Sequence, residues 1–525
     1  MLTRFKALAL VFFSLGLLTV ARDARAAEDM EFAPVSVEVD KEAAGELEEA
    51  MAAMKQRNWM RASMILHRII SRNEVAVTPI EQKAEYTIGK ALYRLGLYQA
   101  SLNFFDRVVQ AGPEHRYFKA TCKWLYYLSR KLSGDPGLLE KIAKYKPDDC
   151  PAQFRSELSF LLGQFQYKKG ALAQTQEALA LVGPDSKYYP KAKFLQGITY
   201  VRQEQPGPAV EAFKDLLRVT AATDNPSEDL KYFNQLATLS MARVFYSTGQ
   251  FRQSVKYYDQ IPLESSLWLD GLFEASWAFF RLNNHEKALG NLHTLNSPFF
   301  NDEYFPEAPV LASVIFYSNC NYEKTRNTIN DFRLAYEPLR DEIKGHLDTH
   351  SDPSELYEFL TKLKGSKGSA TGRGDQILKA AYQDQQLKRI VSYIRELDRE
   401  VDMMRRAKAA WAQSELAKLI IQEIEVIKSL AVHEAGGLAK ARLTRVVNEL
   451  SELISQSLKI EFEVTSAEKG ILENRLQGAG FENKSGPSGP IYATDDEHIY
   501  WPFSGEYWRD ELGYYLYTIR SECTR

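Results

Sequence analysis

The 525-residue chain has little of what usually marks an enzyme or a metal protein. It carries four cysteines and eight histidines. No two cysteines form a C-x-x-C pair, which removes the common zinc and dithiol motifs. His433-Glu434 lacks the second histidine of a zinc-protease helix. His346 and His350 stand one helical turn apart without an evident third ligand, the pattern of two solvent-facing histidines. A G-x-S-x-G nucleophile elbow is missing. Residues 365–374 are rich in glycine, but the lysine is misplaced for a phosphate loop and no strand pattern precedes it. They read as a linker, and Arg373-Gly374-Asp375 reads as part of it rather than as an adhesion tripeptide. An excess of basic charge is also lacking: 66 Lys+Arg against 69 Asp+Glu give −3, without the basic footprint that nucleic acid requires. Beyond the first twenty residues, no apolar run is long enough to span a bilayer.

What the N-terminus does have is an export pattern. Arg4 and Lys6 precede an apolar run over residues 7–20, and Ala24-Arg25-Ala26 is a small-x-small cleavage site. The expectation is a cleavable signal peptide over 1–26, a flexible segment over 27–44 and a periplasmic mature chain; an uncleaved signal anchor is the alternative. No cysteine lies near the site for lipid attachment. Removing Arg4, Lys6, Arg22 and Arg25 with Asp23 would make the chain more acidic still. In an oxidising compartment the four cysteines can pair. Cys122–Cys150 is the first expectation, as a staple, and Cys320–Cys523 would then tie the tail to the repeats. Four buried thiols are the other possibility.

A small residue recurs at the spacing of stacked helical hairpins. Gly163 and Gly197 are 34 residues apart, as are Ala242 and Ser276. Each is followed twelve residues on by another small residue and sixteen on by a large apolar one. One copy holds Gly89, Leu92, Gly96, Ser101, Phe105 and Val108. Others centre on Ala50, Gly163, Gly197, Ala242, Ser276 and Ser313. Two short helices cannot bury their apolar faces alone; small residues let the backbones approach, and stacking makes one continuous core. The register breaks over residues 116–150, is stretched near 221–228 and stops after Phe332.

This pattern resembles the tetratricopeptide repeat (TPR) over residues 45–336. The resemblance is degenerate, since the turn glycine is kept only at Gly96, Gly170 and Gly249. In that family the first helix of each hairpin lines the inner surface, and motif positions 9, 12 and 13 reach ligand. Carried over, the resemblance implies a partner-binding groove of Lys90, Arg243 and Trp277 at position 9. It implies Tyr93, Tyr167, Val201, Tyr246, Phe280 and Tyr317 at position 12, and Lys55, Arg94, Lys168, Arg202 and Arg281 at position 13. Aromatic faces and cations along one groove suit an extended peptide. Packing of position 12 between repeats is the competing reading.

The second half reads differently. Residues 337–375 hold short helices and the linker. Over 376–477, Leu387, Ile390, Ile394, Leu397, Val401, Met404 and Trp411 alternate steps of three and four, interrupted at Gln383 and Lys408. Gly436-Gly437 marks a reversal, and Leu443, Val447, Leu450 and Ile454 continue beyond it. The expectation is an antiparallel coiled-coil hairpin; a parallel coil joining two copies is the alternative. The tail, 478–525, is dense in aromatics, among them Trp501, Phe503, Tyr507 and Trp508. It either packs on its own coiled coil or forms a partner-binding latch.

The fold class expected is all-α: a TPR-like α-solenoid, a long helical hairpin and an aromatic tail. The expected role is a non-enzymatic periplasmic scaffold that binds protein partners, with self-association through the coiled coil as an option and no cofactor, metal or nucleic acid. The architecture is similar to exported repeat proteins of delta-proteobacterial groups, some of them in gliding-motility machinery. Lytic transglycosylases resemble the first half only; where their catalytic domain would lie, this chain has the coiled-coil pattern. A cell-wall enzyme accessory or an outer-membrane assembly factor are the rival readings.

Overall fold

The computed structural model describes residues 41–72, 78–133, 137–300, 303–365, 372–476 and 507–523. The expected signal peptide, most of the 27–44 segment, Trp501 and Phe503 lie outside them. Among the described residues, all strand-free, the regular structure is helical. They fall into two compact units. The first comprises 41–237 with 352–359 and 382–440; the second comprises 238–351 with 360–381 and the described residues after 440.

Seven helical hairpins are present among the described residues. They are α1–α2 (Lys41–Lys55, Trp59–Ile70), α3–α4 (Pro79–Leu95, Tyr98–Ala111), α7–α8 (Arg155–Lys169, Leu172–Ala180), α9–α10 (Tyr189–Arg202, Pro206–Ala221), α11–α12 (Glu228–Ser247, Phe251–Tyr258), α13–α14 (Trp268–Arg281, His285–Leu295) and α15–α16 (Glu307–Ser318, Tyr322–Thr349). Each turns on one left-handed residue: Arg57, Gly96, Gly170, Glu204, Gly249, Asn283 and Cys320, with φ between 56° and 82°. Each closes with the same bond from the next N–H to a carbonyl five residues back, as in Leu97 to Leu92 (3.0 Å), Gln205 to Tyr200 (2.9 Å) and Asn321 to Phe316 (3.0 Å). This is a Schellman closure, and glycine is its cheapest residue but not an obligatory one. The turns without glycine are therefore the same turns, where a search for glycine misses them.

The small-residue register has a steric cause. A Cβ on Gly89 would stand 2.8 Å from the Phe105 ring, and one on Gly163 2.6 Å from Leu179; one on Gly197 would overlap Phe213. The residue sixteen later fills the space that the missing side chain leaves. The residue twelve later closes the pair with a hydrogen bond where it is serine: the hydroxyls of Ser101 and Ser254 donate to the Gly89 and Ala242 carbonyls, both at 2.8 Å. The 116–150 break is built on aromatics instead. In α5 (Phe118–Ser129), Trp124 Nε1 donates to the Tyr86 hydroxyl at 2.9 Å, and Phe118 stacks on Tyr145 at 4.2 Å. Cys122 is bonded to Cys150, beyond the one-turn α6 (Leu138–Ile142).

The C-terminal helices depart from expectation. The seam over 380–411 is three helices, not one: α18 (Gly372–Tyr382), α19 (Gln385–Arg405) and α20 (Ala409–Ala412). The polar interruptions are where helices stop, since Gln383 lies between α18 and α19 and Lys408 caps α20. The diglycine is no reversal. Both glycines sit inside α21 (Glu415–Leu476), which runs unbroken for 62 residues. Gly436 serves close packing, because a Cβ there would overlap the Pro353 carbonyl at the start of α17 (Pro353–Gly365). The chain reverses earlier, through α20. Arg405 pairs with Glu425 (3.0 Å) and Asp398 with Lys428, so α19 and the start of α21 run antiparallel. Within the first unit α19 also packs on α4: the Tyr393 hydroxyl donates to Gln99 at 2.7 Å. Trp411 Nε1 donates to Ser63 on α2 at 3.0 Å. Within the second unit Leu453 and Ile454 of α21 form a core with Val310 and Phe332.

Candidate interaction surfaces

Five of the seven turns have an aromatic three residues before the turn residue, and these rings do two things. Several staple their own turn: Tyr93 lies edge-on to Tyr98 (5.3 Å), Tyr246 edge-on to Phe251 (5.2 Å), Phe280 stacks on His285 (5.8 Å), and Tyr317 tilts on Tyr322 (6.1 Å). All four rings are half-buried. Burial, helped by the Tyr98 and Tyr127 hydroxyls, pushes the Tyr93 hydroxyl up to about 12. The remaining faces meet cations. The Arg202 guanidinium lies 4.7 Å from the Tyr167 ring centroid, one repeat back, and Arg281 lies 4.7 Å from Phe251. Lys90 is 5.4 Å from the Tyr86 ring. Arg94, Lys168, Arg202 and Arg281 are exposed. An exposed guanidinium held over a ring is a preformed site for a carboxylate with an apolar neighbour.

Not every residue of the expected set reaches that surface. Arg243 is turned inward, where Nε donates to Glu274 Oε2 at 2.8 Å and one terminal nitrogen donates to Oε1 at 2.6 Å. Burial opposes its charge, but the Glu274 carboxylate holds it above the ordinary arginine range. The Tyr258 hydroxyl joins the pair at 3.0 Å. Trp277 is half-buried and edge-on to Phe280 at 6.1 Å. Phe251 belongs with the stacks, although it was not in the expected set. Its signal is positional: it sits two residues after the turn, like Tyr98 and Tyr322.

A second surface lies in the second unit, where the described tail runs along the repeats. Lys287 donates to the Gly513 carbonyl at 2.8 Å, and the Gly513 N–H to Thr294 Oγ1 at 3.1 Å. The Tyr517 N–H donates to the Glu286 carbonyl at 3.0 Å, and that of Glu522 to the Asn319 carbonyl at 2.9 Å. Asn321 Nδ2 donates to the Arg520 carbonyl at 3.0 Å. Tyr507 stacks on His293 at 4.7 Å, Tyr517 meets Phe316 edge-on at 5.8 Å, and Leu512 is buried. Burial lowers the His293 pKa. Gly513 has φ +87° and lies against Trp268, while a Cβ on Gly290 would overlap the Tyr515 carbonyl. Trp508 is half exposed. This strap, residues 507–523, ends at a disulfide between Cys523 and Cys320, the turn residue of α15–α16.

The His346 and His350 rings lie 6.1 Å apart and tilted by 40°, and among the described residues no group of three His, Cys, Asp or Glu is placed to hold a metal. No described helix is long and apolar enough to cross a membrane.

The chain matches no protein-family model and no curated protein. Solved structures that it is similar to are helical-repeat proteins. The apo quorum sensor NprR from B. thuringiensis is 13% identical, with 70% of this chain and 99% of that one covered and a TM-score of 0.35. A TPR-like repeat protein of Podosopora anserina, of kinesin light-chain type, is 12% identical, with 43% and 95% covered and a TM-score of 0.20. The TPR domain of P58(IPK) is 10% identical, with 74% and 98% covered and a TM-score of 0.18. The TPR-like, all-α class of this chain rests on its own hairpins and their shared turn.

Proposed function

We propose that the protein is a non-enzymatic scaffold that binds extended, acidic segments of partner proteins along the first-helix faces of its repeats. The observation that carries this is the pair of exposed cation–ring stacks, Arg202 on Tyr167 and Arg281 on Phe251, each built from residues a repeat or a hairpin apart. A guanidinium that is already oriented loses less freedom on meeting a carboxylate, which favours binding. The same reading places the protein in the periplasm, as part of an envelope complex of the kind that drives gliding motility. The export pattern and the absence of any free cysteine support that location. The antiparallel α19–α21 pair is read as a coiled-coil arm that positions a partner.

Substituting Arg94, Lys168 and Arg202 together by glutamate tests the surface. Partner recovery from native envelopes should fall about tenfold or more, as expected for losing charge-assisted contacts, with circular dichroism unchanged. Full recovery by a folded variant refutes the reading. Fractionation of cells tests the location, with the mature protein expected in the periplasmic fraction.

A further inference from the structure

The two disulfides differ in what a reductant can reach. Cys122 and Cys150 are each 4% exposed. Cys523 is exposed and Cys320 half-buried. Thiol–disulfide exchange needs a thiolate to attack one sulfur directly, so access governs which bridge opens. The accessible bridge is the covalent end of the strap.

Beneath the strap the repeats are shaped for a peptide backbone. Gly290 leaves the gap that the Tyr515 carbonyl enters, and Gly513 takes a left-handed conformation against Trp268. Lys287, Thr294, Asn321 and the Glu286 and Asn319 carbonyls bond to the strap's main chain. Main-chain pairing with side chains seated between is how proteins receive extended peptides. Helix α14 shows the consequence, because Gly290 and Thr294 are buried as well as Leu292 and Leu295 on its core side.

We propose that residues 507–523 form a redox-releasable strap on a peptide-binding face made by α14 and the α15–α16 turn. A thiolate of a dithiol reductant attacks Cys523 Sγ; the S–S bond breaks, and Cys320 leaves as a thiolate and takes up a proton. The reductant's second thiol then attacks the mixed disulfide and releases Cys523 as a thiol. The bridge gains two electrons and two protons, and the dithiol becomes a disulfide. Untied, the strap leaves and the face accepts the same sequence in trans. The proposal is independent of the cation–ring surface.

Three measurements on the full-length protein test it. With graded dithiothreitol and alkylation, Cys320 and Cys523 should be labelled about tenfold faster than Cys122 and Cys150, following access. On that reduction the amides of Gly513, Tyr517 and Glu522 should exchange hydrogen about tenfold faster as local protection is lost, while those of α5 hold. In Cys523→Ser protein, a synthetic 507–523 peptide in a glutathione buffer should become disulfide-linked to Cys320. Adding Gly290→Ala should abolish the adduct. Opening of Cys122–Cys150 first or together, strap amides that stay protected after reduction, or equal adduct from a scrambled peptide would each overturn the proposal.

Discussion

Glu400 on α19 accepts the backbone N–H of Gln99 at 2.7 Å, capping α4 from 301 residues away. The N-cap of α4, Leu97, has no side-chain acceptor of its own, so the first turn takes one from another helix. The Ala100 N–H reaches the other carboxylate oxygen at 3.4 Å. Burial pushes the Glu400 carboxyl up to about 7, against the pull of those amides. With its folded pKa above the ordinary carboxyl range near 4.5, the native state holds the proton more tightly. The stability this confers is complete below about pH 4.5 and is lost as pH rises through about 7. Over that span the change is roughly 3 kcal/mol. Glu400→Gln keeps an acceptor oxygen without a charge to bury. Urea unfolding should show the variant more stable than the parent at pH 8 and close to it at pH 5; an unchanged pH slope would refute this.

The turns offer a gain in stability. Glu204 sits at φ 59° where Gly96, Gly170 and Gly249 occupy the equivalent place. A side chain costs about 1 kcal/mol in that conformation, offset in part by the extra freedom glycine has when unfolded. Glu204→Gly should raise stability by about 0.5 kcal/mol or more, and Gly170→Ala should lower it by about 1 kcal/mol. Thermal unfolding followed by circular dichroism measures both. Opposite signs would show that the turn is not held left-handed in solution.

These turns also show what the sequence made legible. Gly89, Gly163 and Gly197 revealed the repeats because the steric demand falls on the residue itself. Arg57, Glu204, Asn283 and Cys320 did not reveal their turns, since the closing bonds are main-chain and leave little trace in side-chain identity. Gly436-Gly437 misled for a related reason: the glycine is needed for Pro353, 83 positions away in the chain, which no local pattern records. Arg243 looked like a groove residue until Glu274 on the next first helix claimed it. Tyr167 and Arg202 were both visible as groove residues, but their pairing across a repeat needed the structure.

The register predicts a coupling that can be measured. A Cβ at position 197 would overlap the Phe213 ring. Gly197→Ala should therefore cost about 1–3 kcal/mol through overpacking, despite the better helix propensity of alanine. Phe213→Leu opens a cavity and should cost about 1 kcal/mol or more alone. Together they should cost less than their sum by about 0.5 kcal/mol or more, because the smaller side chain makes room for the methyl. The Gly163–Leu179 pair already uses that combination of small glycine and leucine. Strict additivity in a urea double-mutant cycle would mean that the two residues do not share the space.

The inward pair Arg243–Glu274 gives the largest expected loss. It holds an acidic neighbourhood together: crowding by protein and the Glu274 charge push Asp270 up to about 6 although its side chain keeps solvent access, while Arg243 pulls it down and Glu303 adds to the rise. Arg243→Met leaves Glu274 and Asp270 close together without the counter-charge and should cost about 3–5 kcal/mol at pH 7.5. Asp270 already has a folded pKa above its ordinary value near 3.8, so its contribution is complete below about 3.8 and lost as pH rises through about 6. Removing the guanidinium raises that pKa further. The cost of Arg243→Met should therefore shrink toward pH 4.5, where protonation of Asp270 relieves the repulsion. Arg243→Met with Glu274→Gln should recover part of the stability at pH 7.5, since Tyr258 can still donate to the amide oxygen. A cost that does not change between pH 4.5 and 7.5 would show that packing, rather than the buried charge, is what Arg243 supplies.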